Sequence, residues 1–146
     1  MPALEIAALR PLAVRVLRHQ AGPDADAAAL AAAMRGAYDE LARVLAPLIG
    51  RVGVEALVER AVHVAQREYP WLAKERDPEQ AEGPLTHISI SLEQQDFALA
   101  TEAAAAVLAA FTGLLVTLIG EPLTARLIRQ AWPDGFSDAG TEERRA

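Results

Sequence analysis

The sequence predicts an all-α fold, a single-domain helical bundle of about five helices, and it suggests an internal duplication of a helix-turn-helix hairpin at an offset of 70 residues. Three observations lead there. Apolar residues recur at alternating steps of three and four over most of the chain, the period of a helix with one buried face. Residues 103–120 carry no charge over eighteen positions, yet they are rich in alanine and flanked by Glu102 and Glu121. The tripeptide Leu-Ile-Gly occurs at 48–50 and again at 118–120.

Taken in order, residues 1–20 mix apolar positions with Arg10, Arg15 and Arg18. Pro11 suits the first turn of a helix on which Leu12, Val16 and His19 share a side. An extended reading, with Val14 and Val16 facing one way, fits less well. Ala21-Gly22-Pro23-Asp24 breaks the chain, and Asp24 or Asp26 can cap the next helix. That helix is expected over 25–49, with Leu30, Met34, Ala37, Leu41, Leu45 and Leu48 on one stripe. Pro47 should loosen its last turn, and Gly50 and Gly53 permit a tight reversal. A second arm over 53–69 turns Val54, Leu57, Val58, Ala61 and Ala65 inward, and Pro70 ends it. Trp71 and Leu72 should fold back onto the bundle.

Residues 73–84 are charged and punctuated by Asp77-Pro78 and Gly83-Pro84, the composition of a surface loop. From Thr86 to Leu92 apolar and polar residues alternate, which predicts a short extended segment. Ser91-Leu92-Glu93-Gln94 has the form of a capping box, so a long helix is expected over 92–119. Phe97, Thr101, Ala104, Leu108, Phe111, Leu115 and Leu118 form its stripe, with a second apolar strip beside it. Its uncharged stretch, eighteen residues over 103–120, approaches the ~20 that cross a bilayer, but alanine, two threonines and Gly113 favour a buried central helix. Gly120-Glu121-Pro122 turns the chain into a last helix over 122–132. The domain is therefore expected at 1–132, followed by a flexible C-terminal tail at 133–146.

Under the 70-residue shift, Leu41, Val44 and Leu45 fall on Phe111, Leu114 and Leu115. Downstream, Leu57, Val58 and Ala61 fall on Leu127, Ile128 and Ala131, without a gap. Any two amphipathic hairpins align somewhere. The shared tripeptide makes duplication and chance equally good explanations.

The net charge of −6 argues against a nucleic-acid surface, which needs a basic field. With no cysteine there is no disulfide, iron–sulfur cluster or cysteine zinc site, and a reducing compartment fits. Alanine and arginine enrichment suits a GC-rich bacterial genome. No signal peptide is visible, so a cytoplasmic location is expected, and no membrane partner.

No convergent catalytic set stands out, and no cofactor is expected. Glu59 and His63 lie one helical turn apart and offer two ligands to a metal, but two ligands are not a site. His63 with Arg67 one turn later also invites a phosphotransfer reading, which the flanking Ala61-Val62 and Val64-Ala65 do not support. His87, Ser89 and Ser91 lack the orienting group and oxyanion hole of a nucleophilic site. Residues 54–66 could serve as a recognition helix, but Glu55, Glu59 and Glu68 oppose it. Trp71, Trp132, Tyr69 and Phe136 either form an aromatic patch or close the core. Trp71, Trp132, Arg126 and Arg129 are the interaction candidates.

The leading reading is a non-enzymatic protein-interaction or regulatory module of bacterial type that self-associates, with a homodimer the expected form. The alternative is a helical sensor with a small-molecule pocket among the alanines of 98–110, Phe97 and Phe111. A helix-turn-helix DNA-binding regulator stands third.

Overall fold

The computed structural model describes residues 6–72 and 84–132. Most of the charged loop expected at 73–84, the tail at 133–146 and Phe136 lie outside the described residues. Five helices pack together: α1 (Ile6–Ala21), α2 (Ala27–Gln66), α3 (Pro84–Glu93), α4 (Phe97–Ile119) and α5 (Glu121–Ala131). No strand occurs among the described residues.

α1 buries Leu9, Leu12, Ala13, Val16 and Leu17, a stripe at helical spacing, while His19 points outward. The helix already includes Ile6, so Pro11 lies inside it and does not open it. Pro11 is exposed.

α2 is two helical arms joined at Gly50, whose backbone (φ 79°, ψ 159°) is not helical. Asp26 caps its start, with the carboxylate accepting the Ala29 N–H at 2.9 Å. The segment 27–49 buries Leu30, Met34, Ala37, Leu41 and Leu45 as the stripe predicts. Leu48, the last position of that stripe, is instead exposed. Beyond Gly50 the chain turns inward Val54, Val58, Ala61, Val62 and Ala65. The Tyr69 amide closes on the Ala65 carbonyl and Leu72 is fully buried, so the chain does fold back after α2.

α3 replaces the extended segment expected at 86–92. Ile88 and Leu92 are four apart, so they satisfy both a strand face and a helix face. Ile90 separates the two patterns: a strand would bury it with them, whereas it is 50% exposed while Ile88 and Leu92 are fully buried. The capping box expected at Ser91 does not start the next helix either. Gln94 and Gln95 close back on Ser91 and Leu92, and the cap is Asp96, which accepts the Leu99 N–H at 2.8 Å.

α4 sits between α1, α2, α3 and α5 and shares its largest interface with α2. It is long and apolar enough to cross a membrane, yet half of its most apolar window is buried by the other helices. Its buried alanines at 100 and 103–106 leave room for close helix approach. Its threonines satisfy themselves locally, Thr101 donating to the Phe97 carbonyl at 2.7 Å and Thr112 to that of Leu108 at 3.1 Å. At the α2–α4 interface Tyr38 meets Phe111 edge-on, ring centres 5.3 Å apart. The Tyr38 hydroxyl has no hydrogen-bond partner among the described residues, and burial holds its pKa well above the usual phenol value. α5 closes the bundle through Leu127, Ile128 and Ala131, and the Trp132 indole donates to the Ala37 carbonyl at 3.1 Å.

On the surface, Arg10 holds Glu68 through two bonds of 2.9 and 3.1 Å, tying α1 to the chain just beyond α2. The guanidinium lowers the Glu68 pKa, although both side chains are half-exposed and solvent screens most of the gain.

Gly50 and Gly120 share one backbone conformation, Gly120 having φ 91° and ψ 160°. This region is open to glycine alone at low cost. A Cβ at Gly50 would meet no atom within 4 Å, so any penalty there is conformational and not steric. Gly50→Ala and Gly120→Ala should each lower unfolding free energy in urea by ~1–3 kcal/mol. Wild-type stability in both variants would contradict the assignment of these turns.

Candidate functional site

The two glycine turns form matching corners. Asp26 and Asp96 cap helices that begin at Ala27 and Phe97, and 27–49 has the same 23-residue length as α4. Leu45 and Leu115 are the last fully buried leucines before each turn. Ile49 and Ile119 pack partly against the core. Each chain segment then reverses at a glycine and sends an apolar face back onto the bundle, Val54, Val58 and Ala61 in one case, Leu127, Ile128 and Ala131 in the other. At the second corner Gly120 ends α4 through its N–H to the Val116 carbonyl at 2.9 Å and also opens α5. Its own carbonyl receives the Thr124 hydroxyl at 2.7 Å.

Both corners leave leucine in water. Leu48 is 56% exposed and Leu118 is 60% exposed. Val52 at 80% and Leu123 at 36% lie just past the two glycines. Among the described residues six large hydrophobic side chains are exposed, and these four sit at the corners; Val64 and Ile90 are the others. Apolar side chains scattered singly over a surface need no explanation, but a concentration at two matching points does. Pro47 and Pro122 are exposed beside them.

The charges at the corners differ. Arg51 follows the first glycine and is 91% exposed, with only a long 3.8 Å approach to Glu55. Glu121 follows the second glycine. One of its carboxylate oxygens is shut from solvent and accepts no hydrogen bond among the described residues. It lies in the first turn of α5.

The side chains singled out by sequence fall elsewhere. Glu59 and His63 lie on the exposed face of α2, and no group of three metal-ligating side chains forms among the described residues. Ser89 is buried in α3, its hydroxyl without a partner among the described residues, and Ser91 is half-buried. The His87 side chain lies outside the described residues. Trp71 is half-buried and stacks edge-on to Tyr69 at 6.1 Å. Trp132 is buried and packs in the core, not on an exposed patch. Arg126 and Arg129 are exposed on α5. Of the alanines expected to line a pocket, Ala100 and Ala103 to Ala106 are packed into the core, whereas Ala98 is exposed. Phe97 instead edges an open concavity of about 440 Å³ with Arg18, His19, Gly22 and Pro23. Sequence reasoning misses the corner leucines because it assigns both to buried stripes.

Compared with family models, with curated proteins and with solved structures, the chain matches none.

Leucines that do not hold the fold together can be replaced without loss. Leu48→Lys and Leu118→Lys should change stability by under ~0.5 kcal/mol, against ~2–5 kcal/mol for Leu45→Ala or Leu115→Ala one turn earlier. Urea unfolding of the four variants checks this, and a large loss in the lysine variants would make the corners structural.

Proposed function

We propose that the chain is a non-enzymatic interaction module, built from two copies of one helix–glycine–helix unit, that docks onto protein through its two glycine corners. The observation that carries the reading is the matched exposure of Leu48 and Leu118. Duplication is supported by the equal 70-residue spacing of Asp26 and Asp96, of Gly50 and Gly120, and of the exposed leucines. Three unrelated requirements recur at one offset: a capping carboxylate, a positive φ and an exposed apolar side chain. Chance alignment of two amphipathic hairpins accounts for the buried stripe but not for these.

An interaction role is supported by what exposed leucines cost. Each leaves just over half of its apolar surface in water, which burial would stabilise by ~1–2 kcal/mol. Cytoplasmic self-association is the form of docking this reading favours.

The test is photo-crosslinking in cells, with a photoreactive residue at position 48 or 118 and, as controls, at Arg35 or Gln130. Both controls are exposed on α2 and α5. Adducts to an identified protein, the chain itself included, should form from 48 and 118 and not from the controls. Equal yields from all four positions would overturn the reading.

A further inference from the structure

We infer that the partner at these corners is a second copy of this chain, and that the first corner of one copy meets the second corner of another. The inference rests on the docking reading above and adds the partner and the register. The ground for it is charge. The two corners match in shape-determining features and in exposed leucine, but the residue after the glycine is Arg51 in one and Glu121 in the other.

Three pairings between copies are conceivable. First corner on first corner sets Arg51 against Arg51. Second on second sets Glu121 against Glu121. First on second sets Arg51 against Glu121 while Leu48 and Val52 cover Leu118 and Leu123. Like charges brought together at an apolar contact are strongly disfavoured, so only the third pairing gains from both terms. Arg51 is available for it, being nearly fully exposed and held only loosely by Glu55. Glu121 is half-buried in the first turn of α5, which sets its carboxylate at the second corner. Each copy carries one corner of each kind, so every copy offers both partners of the contact.

The charges permit a test that does not depend on either variant alone. Sedimentation equilibrium of the purified chain should show self-association that weakens as salt is raised. Arg51→Glu places two acidic corners on one chain, and Glu121→Arg places two basic ones. Each variant should raise the dissociation constant at least about tenfold. An equimolar mixture of the two should recover association close to wild type, because every contact between unlike chains again pairs opposite charges. Circular dichroism of each variant should be unchanged.

Failure of both single variants to weaken association, or of the mixture to recover it, overturns the Arg51–Glu121 register. A wild-type chain that stays monomeric while positions 48 and 118 crosslink to a different protein overturns the second copy but leaves the docking reading intact. Self-association that survives Leu48→Glu combined with Leu118→Glu overturns both.

Discussion

Each long helix of this protein runs from an aspartate that caps it to a glycine that reverses it, and the glycine is the stricter of the two constraints. An aspartate cap contributes about 1 kcal/mol and several residue types can replace it. The backbone at Gly50 and Gly120, with φ of 79° and 91°, admits no β-carbon without strain. Those turns re-aim the chain so that the apolar faces after them meet the bundle core. Val54, Val58 and Ala61, and likewise Leu127, Ile128 and Ala131, are buried for that reason.

The centre of the bundle is set by side-chain size. α4 can lie among four other helices because its buried positions include a run of alanines, and because Thr101 and Thr112 return their hydroxyls to their own helix. Neither buried threonine then needs a partner from a neighbouring helix. Tyr38 is the exception at the α2–α4 contact. Its hydroxyl, unpartnered among the described residues, is offset by the edge-on contact with Phe111 and by the area the ring buries. Trp132, by contrast, donates its indole N–H to the Ala37 carbonyl within the core.

Much of this is legible in the sequence where a pattern admits one period only. The stripe from Leu30 to Leu45 has no competing explanation, and the helix stands there; of the alternatives Asp24 or Asp26 and Gly50 or Gly53, the structure takes Asp26 as the cap and Gly50 as the turn. Thr86 to Leu92 misleads because Ile88 and Leu92 fit a period of two as well as a helix, leaving Ile90 to decide. The capping-box pattern at Ser91 competes with Asp96, and local hydrogen-bonding chemistry cannot rank two caps five residues apart. The corner leucines are legible as apolar but not as exposed. A stripe says which side of a helix faces inward; it does not say where the neighbouring helices end. Trp132 is ambiguous for a similar reason, since a tryptophan just past a helix can seal a core or face a partner.

The central claim is that the corners are covered when chains meet. Hydrogen exchange of the dilute and the concentrated protein measures this residue by residue. Slowing on concentration should be confined to amides near Leu48–Val52 and Leu118–Leu123, with exchange in α1 and α3 unchanged. Slowing centred on α1 or α3, or no change at the two glycine turns in a sample that has associated, would contradict it.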